Sequence, residues 1–308
     1  MPPSRLLFAS LLVVAACRDS STAAAPPPSP PPAVAPDAAT PPPPARSPLT
    51  LTYLGVAGWS IEADGHTIVV DPYLSRPDLK GPVRSDAAAV AARTPAKVDA
   101  IVIGHSHVDH LLDAPTMAKA TGAQLIGSAT SIAYAQASGV PAAQLVPVRG
   151  GEDYQFDGFS IRVLPSLHSA LDDKHTLGTA RTTPPPSPMT FDDFVEGGTF
   201  AYLVRVGGHE VFVLSTANYI ERELVGLRPD VAIVATGLRQ EIYDYTCRLL
   251  RAIGAPPRVF TTHFDDWQGP PIDEPIDDDL QAFVAEVTAC APGTIATVPG
   301  HFAPIVVP

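Results

Sequence analysis

A cluster of candidate metal ligands follows a predicted buried strand. The apolar strand Asp99–Ile103 is followed, one residue later, by His105, His107, Asp109 and His110. Alternation along an extended chain places the first two histidines on one side, and the last two side chains turn toward a second position as a helix begins. Neutral imidazoles and a carboxylate suit Zn²⁺ or a similar divalent ion. The spacing therefore predicts a metal centre and metal-assisted hydrolysis.

The elements that position this cluster read as an α/β domain. Short β-branched runs separated by turns come before and after a long loop, Ser169–Gly198, and helices are interspersed among them. This pattern indicates two mixed sheets or one large sheet. The predicted strands are Thr50–Leu54, Trp59–Ala63, Thr67–Asp71, Asp99–Ile103, Gln124–Gly127, Gln144–Val148, Tyr154–Phe156, Ser160–Leu164, Thr199–Val206, Glu210–Leu214, Asp230–Ala235 and Arg258–Thr262. The predicted helices are Ala87–Arg93, Ala114–Ala120, Ser131–Ala137, Glu241–Ile253 and Asp279–Cys290.

The histidine motif and its surroundings resemble the metallo-β-lactamase-fold hydrolases over nearly all of residues 50–308. The opening segment Tyr53–Ile61 and the strand Ile68–Pro72 are similar to the first hairpin of that family. The branch nearest in appearance contains L-ascorbate-6-phosphate lactonase and N-acylphosphatidylethanolamine phospholipase D. The resemblance implies an α/β fold, a four-layer αββα sandwich with a metal pair at the sheet edges.

The resemblance also implies two ligand sets. His105 and His107 would share the first metal with His168, which follows the strand Ser160–Leu164. The second set consists of Asp109, His110 and His263, the last after the strand Arg258–Thr262. Asp109 and His168 are expected to be catalytic as well as metal ligands. The expected cofactor is one or two Zn²⁺ ions, with Mn²⁺ or iron as alternatives.

One position departs from the family pattern. Many members carry an Asp that bridges the metals after the strand corresponding to Val211–Leu214, but here the sequence reads Ser215-Thr216-Ala217-Asn218. The true β-lactamases of the superfamily also lack that Asp, so the resemblance still implies a metal site, with a weaker second position. The additional candidate ligands or pocket residues are Asn218, Asp172, Asp173 and His175.

Composition narrows the function classes. A formal net charge of -12 disfavours a nucleic-acid partner, because phosphate binding needs clustered Lys and Arg. The chain has no Gly-x-Ser-x-Gly elbow and no phosphate-binding glycine loop, so a small-molecule substrate of a metal hydrolase fits best. Three cysteines exclude a disulfide scaffold. Cys247 and Cys290 form either a disulfide or two buried thiols.

The N-terminus reads as a targeting segment. Residues 1–16 have a basic start and a short apolar run, as in a secretory signal, and Val14-Ala15-Ala16-Cys17 resembles the lipobox of bacterial lipoproteins. An ordinary signal peptide is the alternative. Residues 17–48 add a Pro- and Ala-rich linker to the lipidated Cys17, and residues 49–308 form the hydrolase domain. We therefore expect an exported lipoprotein that is anchored to a membrane of the cell envelope.

These observations predict a tethered enzyme in which a metal-bound hydroxide attacks a small ester, lactone, amide or phosphodiester. One alternative is a phospholipid-acting hydrolase, given the anchor and one of the nearer relatives. Another is a non-catalytic metal-binding or scaffold lipoprotein, given the missing bridging Asp.

Overall fold

The computed structural model describes residues 46–171, 178–271 and 276–307. The expected signal peptide, the lipidation site Cys17 and the linker up to residue 45 lie outside the described residues. Three of the additional candidate residues, Asp172, Asp173 and His175, also lie outside them.

The first sheet has seven strands in the order β14-β1-β2-β3-β4-β5-β6. It begins with two antiparallel hairpins and continues with parallel strands from β3 to β6. The chain returns at its end, because β14 pairs with β1 and sets Val307 opposite Leu49. The strands are β1 (Leu49–Gly55), β2 (Gly58–Ala63), β3 (His66–Val70), β4 (Ala100–Val102), β5 (Gln124–Gly127), β6 (Leu145–Pro147) and β14 (Pro304–Val307).

The second sheet also has seven strands, in the order β13-β12-β11-β10-β9-β8-β7. Strands β7 to β10 form an antiparallel meander, and strands β10 to β13 are parallel to one another. The strands are β7 (Asp153–Gln155), β8 (Phe159–Pro165), β9 (Phe200–Val206), β10 (His209–Leu214), β11 (Val231–Ala235), β12 (Arg258–Thr262) and β13 (Ile295–Thr297).

Seven α-helices complete the described residues. They are α1 (Ala87–Arg93), α2 (Val108–Leu111), α3 (Ala114–Thr121), α4 (Ala129–Ala137), α5 (Glu221–Leu224), α6 (Tyr245–Ala252) and α7 (Asp278–Cys290). None of the helices in residues 46–171, 178–271 and 276–307 has the length and apolar character needed to span a membrane.

Three apolar clusters define four layers. The first joins the inner faces of the two sheets, for example Leu51 of β1 with Val204 of β9. The second packs the outer face of the first sheet against helices such as α3, through Met117. The third packs the second sheet against α6 and α7, through Leu249 and Phe283. The expected αββα sandwich is confirmed, with two sheets and not one.

Local sequence explains several of these elements. Asp64 and Gly65 both have positive φ, 52° and 76°, which is the conformation of a two-residue hairpin turn between β2 and β3. Asp86 caps α1 by accepting hydrogen bonds from two backbone N–H groups of its first turn. Cys247 and Cys290 form a disulfide that joins α6 to α7, which resolves the choice between a bond and two thiols.

Candidate metal centre

Six ligand side chains reach one cavity from the ends of three strands. His105 and its neighbours follow β4, His168 follows β8, and His263 directly follows β12. The two sheets therefore contribute to the same site, as expected for strand ends that meet at one edge of a sandwich. The six residues fall into two groups, and the candidate ligand atoms within each group lie within 4.8 Å of one another. These groups are His105, His107 and His168, and Asp109, His110 and His263.

The first group consists of three imidazoles. Nε2 of His105 and Nδ1 of His107 lie 2.9 Å apart. The ring of His168 lies 4.7 Å from that of His105 and 4.8 Å from that of His107, measured between centroids. Nδ1 of His168 contacts the backbone carbonyl of Ser169 at 2.9 Å, so this nitrogen donates and Nε2 remains as the free acceptor. Three neutral imidazoles are a sufficient set for tetrahedral zinc with an open fourth position.

The second group surrounds one carboxylate. Oδ2 of Asp109 lies 3.4 Å from Nε2 of His110 and 3.3 Å from Nε2 of His263. The ring of His110 is also 3.8 Å from the ring of His105, which places the two groups side by side. The arrangement offers one anionic oxygen and two imidazole nitrogens to a second ion.

Asp71 orients His110 from behind. It follows β3, the strand that pairs with β4, and it is fully buried. Its Oδ2 accepts a hydrogen bond from Nδ1 of His110 at 2.8 Å, and its Oδ1 accepts one from the backbone N–H of Gly104 at 2.6 Å. This contact fixes the tautomer of His110 and turns Nε2 toward Asp109. The sequence reasoning assigned no role to Asp71, although the end of a parallel strand beside β4 was a usable signal.

His263 is held in a strained backbone conformation. Its φ is 54°, in the left-handed region that non-glycine residues seldom adopt. The backbone N–H of His263 donates to the carbonyl of Val56 at 2.5 Å, and its carbonyl accepts from Gly237 at 3.2 Å. Contacts to two other loops therefore fix the position from which this side chain reaches Asp109.

Burial and charge set the protonation of the site. Burial, together with the neighbouring His168, lowers the pKa of His107 to about 4. Burial also lowers the pKa of His105 well below its usual value. The pKa of His110 shifts in the other direction. Burial alone would lower it, but the carboxylates of Asp109 and Asp71 raise it. The first group is therefore neutral and ready to bind a cation at neutral pH.

The donors fit a divalent transition metal. Among the described residues, Nε2 of His110 is a buried ring nitrogen without a hydrogen-bond partner, and it lies beside the Asp109 carboxylate. A buried polar atom left without a partner is costly, and a coordinated ion would satisfy it. Nitrogen donors with one carboxylate are the set that zinc prefers, and manganese and iron also accept it.

The structure does not bring Asn218 into the cluster. Its side-chain N–H donates to the backbone carbonyl of His168 at 3.0 Å, and its Oδ1 accepts from the backbone N–H of Tyr219 at 2.9 Å. Both ends of the amide are thus engaged, the nitrogen with the loop that carries His168 and the oxygen with the next residue of its own loop. The residue directly after β10 is Ser215, whose buried hydroxyl lies so near Gly104 that a Cβ there would collide with it.

Described residues of the long loop Ser169–Gly198 form part of the cavity. Its Glu196 is 4% exposed, and the backbone carbonyl of that residue accepts a hydrogen bond from the N–H of Ser106 at 2.7 Å, within the histidine motif. A short 3-10 helix, Phe191–Asp193, lies in the same loop. The sequence showed only that this loop is long, and none of the cavity residues Phe191, Asp192 or Glu196 was predicted as a site residue.

The chain is similar in sequence to a known protein family and to named metal-dependent hydrolases. The sequence model described as "Beta-lactamase superfamily domain" matches residues 66–264, more than half of the chain. A UPF0173 metal-dependent hydrolase of Methanopyrus kandleri is 30% identical over 199 residues, which cover 62% of this chain and 73% of the relative.

Two solved structures share the fold at low identity. A metallo hydrolase of Ignicoccus hospitalis superposes with a TM-score of 0.57 at 20% identity, and the match covers 85% of this chain and 99% of that one. A diiron β-hydroxylase of Streptomyces venezuelae superposes with a TM-score of 0.56 at 16% identity, covering 86% of this chain and 54% of that one.

Proposed function

This chain belongs to the beta-lactamase superfamily, among its metal-dependent hydrolases, and we propose that it cleaves a small ester, lactone, amide or phosphodiester while tethered to a membrane through Cys17. The observation that carries the proposal is the convergence of two ligand groups on the floor of one cavity. Each group has three ligands and so leaves a position for water, as in catalytic metal sites, and two adjacent groups that line one cavity suit hydrolysis.

The residues of the chain prepare the site. When bound there, a divalent ion would lower the pKa of a water molecule toward 7 and polarise the oxygen of the bond under attack. His168 keeps its proton on Nδ1, where Ser169 accepts it, and so presents Nε2 to the first position. Although burial alone would raise the pKa of Asp109, His110 and His263 lower it, so its carboxylate stays ionised and available to a cation. These are the roles behind the catalytic assignment of Asp109 and His168.

We propose Zn²⁺ in one or both positions. Three histidines in the first group and two in the second, with one carboxylate, favour zinc over magnesium or calcium. Iron and manganese remain alternatives with the same donors, and the diiron neighbour described above supports including iron in any reconstitution.

A phospholipid-acting hydrolase is the second candidate. Phe191 and Leu238 line the cavity and are 43% and 44% exposed, so its mouth carries apolar side chains that could meet lipid. A non-catalytic scaffold is the third, motivated by Ser215 at the place of the bridging carboxylate.

The test is a substrate panel run on metal-loaded protein. Purified full chain is stripped with chelator, reloaded with zinc, manganese or iron(II), and assayed on an ester, a lactone, an amide, a phosphodiester and a phosphatidylcholine vesicle. We expect turnover of at least one soluble substrate that disappears with chelation and returns with metal. Turnover of the vesicle alone would favour the lipid alternative, and no turnover with full metal content would favour the scaffold.

A further inference from the structure

The cavity beyond the metal ligands is mostly apolar. Its volume is about 710 Å³, the size of a site for a small organic ligand. Its apolar lining comes from three parts of the chain. These are described residues of the Ser169–Gly198 loop, Leu238, and the loop that follows β12. These side chains are Leu171, Phe191, Phe194, Val195, Leu238, Phe264 and Trp267.

Two aromatic rings in this lining come together from different loops. Phe191 and Trp267 stack with their centroids 6.1 Å apart and their planes at 21°. Phe191 belongs to the 3-10 helix of the long loop, which Thr190 and Asp193 cap reciprocally. Stacked rings that are partly exposed in a cavity present a flat apolar surface to a ligand.

The tryptophan loop is held in place before any ligand arrives. Arg76 donates to the backbone carbonyl of Asp266 at 2.5 Å and to that of Gly269 at 3.0 Å, on either side of Trp267. The same guanidinium donates to Oδ2 of Asp265 at 2.8 Å. A preformed apolar surface loses less conformational entropy when a ligand binds, so this geometry favours recognition through Trp267.

Apart from the histidines, the ionisable side chains of the described lining are all acidic. Among the described residues, no lysine or arginine lines the cavity, whereas three carboxylates besides Asp109 do: Asp192, Glu196 and Asp265. Asp265 is compensated by Arg76 and by Nε2 of His301 at 3.0 Å. Asp192 is exposed beside Phe191 at the mouth. Away from the metal positions, where a bound ion would itself attract an anion, a phosphate or carboxylate would lose hydration and find no guanidinium or ammonium group in the described lining.

We propose that the cavity selects an uncharged or cationic substrate that carries an aromatic or other flat apolar group, and that it discriminates against anionic ones. The scissile carbonyl would lie over the histidine groups and the apolar portion against Phe191 and Trp267. Asp192 repels an anion at the entrance and attracts a cation. This proposal rests on the proposed hydrolase function and narrows its substrate class to neutral esters, lactones and amides, away from phosphodiesters and phospholipids.

The direct test is binding of three small probes of one shape and different charge. Acetophenone, phenyltrimethylammonium and benzenesulfonate are titrated against the zinc-loaded full chain and followed by saturation-transfer NMR of the probe. Benzenesulfonate serves as the anion because sulfonates coordinate zinc poorly, and the same titration of the stripped full chain measures how much of its binding comes from the charge of the metal ions. We expect both other probes to bind at least about tenfold more tightly than benzenesulfonate.

Two pairs of variants separate charge from stacking. Asp192→Lys should reduce the ratio of the affinities for the cationic and the anionic probe about tenfold. Asp157 is an exposed Asp in the β7–β8 turn, and Asp157→Lys should leave that ratio unchanged. Trp267→Ala should weaken acetophenone about fivefold, with Trp267→Phe restoring most of the affinity. Tyr243→Ala removes an 85% exposed aromatic residue outside the lining and is the matched control.

The outcomes distinguish this proposal from the function it rests on. Benzenesulfonate binding as tightly as acetophenone, or an Asp192→Lys protein with unchanged preferences, would overturn the selectivity while leaving metal-dependent turnover intact. Conversely, the expected probe preferences in a protein that hydrolyses nothing in the panel would support the cavity chemistry and refute the hydrolase. In an active protein, we expect 4-nitrophenyl butyrate to be cleaved with a higher kcat/KM than bis(4-nitrophenyl) phosphate, and the reverse order would also overturn the proposal.

Discussion

At the scale of single residues, the site depends on groups that hold the ligands as much as on the ligands. Asp71 accepts the Nδ1 proton of His110 and the N–H of Gly104 with its two oxygens. The left-handed His263 is fixed by the Val56 carbonyl. Neither contact is visible in a motif, because each joins segments that are far apart in the sequence.

Asp71→Asn tests the support of His110. Asn tolerates the positive φ of 39° at this position and keeps one oxygen for Gly104, but its amide cannot accept from His110 as a carboxylate does. We expect metal affinity at the second position to fall by about tenfold to a hundredfold. Competition with a fluorescent zinc chelator measures it. Urea unfolding of the stripped variant provides the control, and an unchanged affinity in a folded variant would argue against the supporting role.

The protonation of His107 predicts a pH dependence of stability in the metal-free domain. Its folded pKa is about 4, against 6.5 for an unperturbed imidazole, so in that interval the unfolded chain binds a proton that the folded chain does not. The free energy of unfolding should therefore fall on acidification between pH 6.5 and about 4, by about 1.4 kcal/mol per pH unit for this group. Urea unfolding of stripped protein at pH 7, 6 and 5 measures the slope. His107→Asn should flatten it by that amount, and parallel slopes would refute the shift.

At the scale of elements, local signals predicted much of the fold and long-range pairing accounts for the rest. The predicted strands Trp59–Ala63 and Thr67–Asp71 and the predicted helix Ala87–Arg93 agree with the structure, where the Asp64-Gly65 turn and the Asp86 cap each act within a few residues. The β14 strand, Pro304–Val307, was not predicted, since its pairing with β1 joins opposite ends of the domain. The family resemblance likewise predicted the ligands that follow β4, β8 and β12. It did not predict which loops line the cavity next to these ligands, because that depends on packing between distant segments.

The residue that follows β10 leads us to a prediction about the second metal position. Ser215 directly follows that strand, and its buried hydroxyl lies next to Gly104, whereas the Asn218 amide is already bonded to His168 and Tyr219. Ser215→Asp should bring a carboxylate toward the ligand groups and tighten the weaker zinc step at least about tenfold. The same substitution should destabilise stripped protein by repulsion with Asp71.

Asn218→Asp is the matched comparison for that experiment. It adds the same charge three residues later, where the side chain is bonded to His168 and Tyr219. We expect it to leave the second zinc step within about twofold of the wild-type protein. Tightening by Asn218→Asp with no response to Ser215→Asp would reverse our assignment of the position after β10.

For the whole molecule, we propose that the hydrolase domain is tethered to a membrane of the cell envelope. The proposed anchor is a lipid on Cys17, ahead of the Pro- and Ala-rich linker. An overall charge of -12 and an acidic cavity mouth act in the same direction, since both disfavour anionic partners.

Cys17→Ser tests the anchor. In a bacterial host that processes lipoproteins, the wild-type protein should partition into the detergent phase of a Triton X-114 extraction. The Ser variant should stay in the aqueous phase as an uncleaved or unlipidated form, because a hydroxyl cannot replace the thiol that receives the lipid. Hydrolysis by the two forms should be equal in detergent solution. A Ser variant that still partitions with detergent would exclude lipidation at this residue.

We propose that hydrolysis depends on metal ions bound by two unequal groups of ligands. Zinc titrated into stripped full chain by isothermal calorimetry measures this directly. We predict two steps of one equivalent each, the first at least about tenfold tighter, and loss of the first step and of all turnover in His107→Ala. A folded wild-type protein that takes up no zinc, manganese or iron, or a His107→Ala protein with unchanged titration and turnover, would contradict the account.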